Sequence, residues 1–301
     1  VIVVTTPTGQ IGFQLLKSLL AADEAVRVVV RDPAKLPADI RGKVEIVKGS
    51  HGDPTIVKTA FRNADALFWL VPPDPKAKSV EAAYVDFSRP ACDAFLSEGV
   101  KHVVGVSSLG RDKPQAKAAG NITASLLMDD LIAGTGVSYR ALACSSFMDN
   151  FLRQVASIKD QGVFFSPTPG DLKLATCATR DIAATAARLL IDRSWSGTGE
   201  IPVLGPEELS FNEMAQVMSH VLDKAVRFEE ISIETLRSGL LGRGISEAMA
   251  QATVDMMLAV RQGIYSNAPR TVESSTATSF HQWCEEVLKP VVLKKYGRLR
   301  N

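Results

Sequence analysis

The sequence predicts an α/β fold, a doubly wound parallel sheet with a smaller, mostly helical C-terminal lobe. Three observations carry that expectation. Residues 1–4, VIVV, are an apolar β-branched run, as a strand buried on both faces requires. Further strand-like runs, at 26–30, 44–47, 66–71, 103–106, 137–143 and 201–204, alternate with stretches of helical spacing. From Arg227 to about Pro290 the pattern is mainly helical.

The first element sets up the rest. Residues 5–12, TTPTGQIG, turn the chain, and Ile11, Leu15, Leu16, Leu19 and Leu20 follow at helical spacing. Strand, glycine turn and helix in that order open a dinucleotide-binding βαβ unit of the Rossmann type. Glycine is needed where backbone approaches a pyrophosphate closely. The helix start then offers N–H groups and a positive dipole end to that anion. Gly9 and Gly12 are present in the spacing T-x-x-G-x-x-G, and Thr6 stands where a first glycine would be. Thr6, Thr8, Gly9, Gln10, Ile11 and Gly12 are the expected contacts; an ordinary βα turn is the alternative.

The second strand, VRVVV, ends in Arg31-Asp32-Pro33, about twenty residues beyond the turn. An acidic residue there bonds the ribose 2′-hydroxyl of NAD, whereas an arginine takes a 2′-phosphate. Arg31 comes first and Lys35 is near, which favours NADP(H) over NAD(H). Asp32 before Pro33 is explained as a helix N-cap. A solvated surface charge is the alternative for Arg31.

Helices are expected at 54–61, 79–98, 121–133, 180–190 and 211–222, and a hairpin or loop at 162–175. Strand ends that share one edge of a parallel sheet face the ligand crevice. The glycine turn, Arg31, residues 71–73 and Ser107-Ser108 should therefore converge, which adds Val71, Pro72 and Ser107 to the cofactor contacts. The division that follows is an NAD(P)-binding domain, residues 1–150 completed by 180–206. Residues 151–179 and 207–301 form a substrate or partner lobe. The basic end, 294–300, reads as a frayed solvated tail.

Composition narrows the function. Lys and Arg number 34 against 33 acidic residues, so no global field recruits nucleic acid or an anionic membrane. No apolar run reaches membrane-span length and no signal peptide is visible, so a cytoplasmic location is expected. Val1 already lies inside a strand, which leaves room for a short native segment before it. Cys92, Cys144, Cys177 and Cys284 are widely separated and read as reduced, mostly buried thiols. The four histidines lack ligand spacing, so no metal is expected. GVSSLG at 105–110 does not match a nucleophile elbow, because its second glycine comes one place too late.

The order of motifs resembles the NmrA-like family, atypical relatives of the short-chain dehydrogenases. TPTGQIG at 6–12 is similar to its G-A-T-G-x-x-G, and Arg31 matches its arginine after the second strand. Phe147-Met148-Asp149-Asn150 is similar to its F-M-E-N, and Asp181-Ile182-Ala183 to its D-I-A. Residues 204–210, LGPEELS, resemble its L-x-G-P-E-x-L-S, and Thr278-Ser279-Phe280 its terminal helix start. The resemblance spans nearly the whole chain. It departs at Thr6, and at Ser50, which replaces an acidic residue after the third strand. The Tyr-x-x-x-Lys pair of short-chain dehydrogenases is absent. Ser125 occupies the place where many members keep a lysine, and Ala143-Cys144 that of an Arg-Pro. No general acid carries over.

The resemblance implies one of two activities: reduction of small organic molecules with NADPH, or nucleotide binding reported to a regulatory protein partner. The expected function is an NADPH-dependent oxidoreductase acting on a small hydrophobic, conjugated acceptor of quinone, dye or enone type. Such an acceptor tolerates loss of the Tyr-Lys pair, taking its proton from water. Ordinary ketone reduction would suffer, since a positioned acid contributes about 10²–10⁴-fold. A silent NADP(H) sensor, or a non-redox isomerase or cyclase on the same fold, are the alternatives. Ser107, Ser108 and Asn150 are the candidate catalytic groups, with helix or turn capping as the plain alternative for the serines. Tyr139, mid-strand, reads as core. Phe147, Met148 and Phe151, with Phe164 and Phe165, wall a substrate pocket or simply pack the lobes together.

Overall fold

Seven strands align in parallel because most are apolar on both faces and need cover on both. In the computed structural model, which describes residues 1–268 and 270–294, they are β1 (Ile2–Thr5), β2 (Val26–Val30), β3 (Glu45–Lys48), β4 (Ala66–Trp69), β5 (His102–Ser108), β6 (Ser138–Cys144) and β8 (Thr198–Val203). Every residue of β1, β2 and β4 is buried, whereas Glu45 and Lys48 are exposed on the edge strand β3. The order is β3-β2-β1-β4-β5-β6-β8, with Val3 opposite both Arg27 and Leu67. Strand order therefore reverses between β1 and β4, and in such sheets the crevice opens there, at the carboxyl ends. Thr5 ties the two strands at that point: its hydroxyl donates to Phe68 O (2.9 Å) and accepts from Leu70 N (3.2 Å).

One face of the sheet is covered by the helices Gln10–Ala21 and Thr179–Ile191, through Leu15, Leu16, Leu19, Ile182 and Leu190. The other carries Pro54–Phe61, Phe87–Glu98 and Asn121–Ala133, through Phe61, Phe95, Met128 and Ile132. The continuous helix expected at 79–98 is instead widened into a π turn over Ala82–Asp86 before Phe87–Glu98 begins. Pro90 explains the change, since it lacks an N–H and its ring crowds the Asp86 carbonyl four residues back.

The C-terminal lobe has its own core, built on Phe151, Phe164, Phe211, Phe280 and Trp283. Two expectations are corrected here. Residues 162–175 do not form a hairpin: β7 (Val163–Ser166) pairs in parallel with β9 (Arg227–Glu230), placing Phe164 opposite Phe228, and residues 167–175 follow as a loop, the other expectation. The segment from Arg227 accordingly begins as a strand, before the helices Ile233–Gly242 and Glu247–Arg261. Parallel partners need a long crossover, so no local pattern announces the pair. The four cysteines are free and buried. Among the described residues, no helix is long and apolar enough to cross a membrane. Beyond Lys294, the basic tail lies outside the described residues.

The motif acids that carried the family resemblance fix chain ends and helix starts, and Asp181 ties the sheet-covering helix to the C-terminal lobe. Asp149 accepts from the N–H (2.9 Å) and hydroxyl (2.8 Å) of Thr179, capping the helix that starts there. Asp181 accepts from the N–H (3.2 Å) and hydroxyl (2.8 Å) of Thr278, and Glu207 from the N–H of Phe280 (2.9 Å).

Candidate active site

The turn after β1 is built for close backbone approach. A Cβ on Gly12 would stand 2.2 Å from the Thr6 carbonyl oxygen, so only glycine lets the helix sit this near the strand end. Thr6 takes φ 53, a left-handed conformation that glycine adopts more readily, and its buried Oγ1 has no hydrogen-bond partner. The Gly9 N–H turns inward onto Thr6 O at 3.0 Å and is spent within the turn. Gly9 caps the helix without a side-chain bond, and no acid lies in its first turn. The first-turn N–H groups of Gln10, Ile11 and Gly12 are thus left for an anion. The side chain of Ile11 is buried in the core, and Thr8 and Gln10 are exposed.

Arg31 and Lys35 stand exposed past the end of β2. Asp32 turns away onto Ala34 N (3.1 Å), capping the short turn Pro33–Lys35. Below Arg31, His51 is buried with Nε2 3.1 Å from Leu70 O, and burial lowers its pKa from 6.5 to about 4.

A cavity of about 410 Å³ opens where the ends of β4, β5 and β6 meet the C-terminal lobe; of the stretches expected to converge, Val71, Ser107 and Ser108 line it and the turn and Arg31 do not. From the sheet come Val71, Ser107, Ser108 and Cys144; from the lobe come Phe211, Met256 and Tyr265. Leu70 and Pro73 line it, whereas Pro72 between them is exposed and does not. The substrate-wall expectation divides by phase. Phe147, Asn150 and Arg153 line the cavity, but Met148 and Phe151 pack into the lobe core, Phe151 edge-on to Phe164 at 5.2 Å. The segment Met148–Gln154 is a 3₁₀ turn, in which residues three apart share a side. Residues 147, 150 and 153 therefore face the crevice while 148 and 151 face away.

Two tyrosines that no sequence motif marks also reach the site. Tyr265 brings its hydroxyl to 3.3 Å from Ser108 Oγ, and Tyr84 reaches the cavity from the π turn. Burial pushes both phenols up to about 12. Nothing in their surroundings marks them, because each reaches the site through non-local packing.

Behind the cavity lies a buried carboxylate. Ser107 Oγ donates to Asp129 Oδ2, Tyr139 donates to Oδ1 at 2.6 Å, and Ser125 Oγ lies 3.4 Å from Ser107 Oγ. Burial pushes Asp129 up to about 6, against the pull of these two hydroxyls and of Arg111, whose Nη2 is 3.3 Å away. Tyr139 is core, as its mid-strand place implies; Gly105 makes room for its ring, since a Cβ there would meet the Tyr139 hydroxyl at 2.2 Å. A signal for Asp129 did exist. It falls on the inward stripe of its helix with Ile122, Ser125 and Ile132, where an acid is out of place.

Fold and crevice together define a Rossmann-type α/β protein with its pocket at the carboxyl ends of the strands. The chain belongs to the NmrA-like family, whose sequence profile matches residues 1–282. It is 29% identical over 292 residues to the (4-alkanoyl-5-oxo-2,5-dihydrofuran-3-yl)methyl phosphate reductase of Streptomyces griseus, covering 95% of this chain and 97% of that one. It is 27% identical over 252 residues to the NAD(P)H azoreductase of Xenophilus azovorans, covering 83% and 84%. Among solved structures, Citrobacter sp. triphenylmethane reductase complexed with NADP(H) superposes with a TM-score of 0.78, at 20% identity over 97% of this chain and 100% of that one.

Proposed function

We propose that the protein is an NADPH-dependent oxidoreductase that reduces a small, hydrophobic, conjugated acceptor. The observation that carries this reading is the cavity of about 410 Å³ at the carboxyl ends of β4, β5 and β6, largely apolar and dotted with hydroxyls. The turn fits a dinucleotide: Gly12 lets the helix start pack against the strand end, that start is uncapped by any side chain, and the Thr6 hydroxyl is left without a partner. When bound, NADPH supplies the hydride. Residues 1–150 with 180–206 hold the nucleotide, its pyrophosphate on the turn and its 2′-phosphate against Arg31 and Lys35. Val71 and Ser107 flank the nicotinamide end. Residues 151–179 and 207–301 complete the acceptor wall, which Phe147 joins from the end of the first segment. That two relatives by sequence are reductases, one of azo compounds, supports a conjugated acceptor.

The test is nucleotide affinity followed by turnover. The protein should bind NADPH and consume it with quinones, azo compounds, cationic dyes or enones. Tight binding with no consumption by any of them would overturn the reading in favour of a nucleotide sensor.

A further inference from the structure

Asp129 separates two cavities. Ser107 and Ser125 line the inner one, at the acceptor site. On its far side Asp129, Tyr139 and Arg111 line an outer cavity of about 260 Å³, together with Thr198, Gly199 and Glu200 of β8. The carboxylate is 2% exposed. A structural partner for the Ser107 hydroxyl need not be an acid, and burying a charge costs several kcal/mol unless it is well paired. Pairing here is incomplete. Arg111, from the loop after β5, is divided among Asp129, Asp130 (2.6 Å) and Glu200. The other groups facing Asp129 are Tyr139 from β6 and Ser107 from β5, and Cys92, on the helix Phe87–Glu98, acts on Tyr139. Glu200 opposes ionisation of Asp129 and Arg111 favours it.

We propose that Asp129 is a proton relay, passing a proton from the outer cavity through the Ser107 hydroxyl to the acceptor in the inner one. The proposal rests on the reductase reading. As the acceptor takes the hydride and its electron pair, negative charge develops on its oxygen or nitrogen. The Ser107 O–H bond breaks as the new O–H or N–H bond forms on the acceptor. With Asp129 protonated the contact with Ser107 reverses, the carboxyl donating to Ser107 Oγ and the hydroxyl turning to the acceptor; Ser107 thus regains a proton from the Asp129 carboxyl, and Asp129 regains one from water in the outer cavity. The sum is NADPH, acceptor and one proton giving NADP⁺ and reduced acceptor. Asp129 acts through Ser107 and touches no substrate. Its elevated pKa, about 6, keeps part of it protonated near neutrality, and the relay weakens as pH rises.

Two acceptors separate the relay from the reductase reading. A neutral quinone needs a proton after hydride transfer; a cationic triarylmethane dye is neutralised by the hydride alone. The ratio of quinone to dye kcat should fall about tenfold per pH unit above about 6 in the parent protein, and should drop about 10²-fold or more in Asp129→Asn with that pH dependence gone. KM for quinone and Kd for NADPH should stay within about twofold. Independently of turnover, infrared difference spectra of nucleotide-free protein should show a carboxyl that titrates near pH 6 and is absent from Asp129→Asn. If that variant does not fold, Ser107→Ala should lower the same ratio and Ser107→Thr should restore it. An unchanged ratio in a folded variant, or equal loss with both acceptors, would overturn the relay and leave the reductase reading intact. No turnover of either acceptor by the parent protein would overturn both.

Discussion

Acidification from pH 7 to pH 5 should destabilise the protein through His51, and the size of the effect follows from how the ring is held. The residue is 8% exposed, its ring edge-on to Trp69 (5.2 Å) and Phe87 (4.9 Å). Its Nε2 faces the Leu70 carbonyl, an acceptor, which places the N–H on that nitrogen. Burial lowers the pKa to about 4, assisted by the nearby Arg31 charge and opposed by the bond to Leu70. In the unfolded chain the ring titrates at the ordinary 6.5, so that state takes up the proton first as pH falls. The stability contributed by the neutral ring is present above pH 6.5 and lost as pH falls towards 4. Linkage with these two values gives a loss of about 2 kcal/mol between pH 7 and pH 5. Asp129 has the opposite sign. Its folded pKa is raised to about 6, so it stabilises at low pH and that contribution is lost as pH rises through 6. Over the same interval acidification regains most of the His51 loss through it. The parent protein should therefore lose only about 0.5 kcal/mol net from this pair. His51→Gln keeps an N–H for Leu70 but does not titrate, so it isolates the histidine. In urea denaturation at the two pH values, the stability difference between parent and variant should change by about 2 kcal/mol. Parallel pH dependences in the two proteins would refute the argument that burial keeps the ring neutral.

Three further predictions address the nucleotide and the proton. NADPH should bind more tightly than NADH, by roughly 10-fold or more, because a charge-assisted bond from Arg31 contributes about 1.5–3 kcal/mol; Arg31→Ala should erase the preference, and equal affinities in the parent would make Arg31 a plain surface charge. Gly12→Val should abolish nucleotide binding and also lower stability by about 1–3 kcal/mol, since its Cβ would meet the Thr6 carbonyl; an unchanged Tm would show that the turn relaxes freely. Tyr139→Phe removes one bond that favours the Asp129 carboxylate, so it should move the pH dependence of quinone turnover upward while reducing kcat by about threefold or less; a loss of several orders of magnitude would make Tyr139 the proton donor.

What the sequence determined by itself is what local pattern controls. Val runs that need cover on both faces predict the parallel sheet, and strands at 26–30 and helices at 54–61, 121–133 and 211–222 appear with the expected bounds. Turn chemistry was equally legible: Gly12 is required by a contact within its own turn, and Asp32 caps the residue after Pro33. The tertiary structure decided whatever depends on chain that is distant in sequence. Phe164 is a strand residue only because Phe228 pairs with it. A one-residue phase in a 3₁₀ turn put Phe147 and Asn150 on the cavity and Met148 and Phe151 in the core. Asp129 falls on the inward stripe of its helix in sequence, but which chain covers it is not written there. It becomes a buried, hydrogen-bonded carboxylate because β5 and β6 close over that face, and burial, unlike hydrophobic periodicity, belongs to the neighbours rather than to the residue.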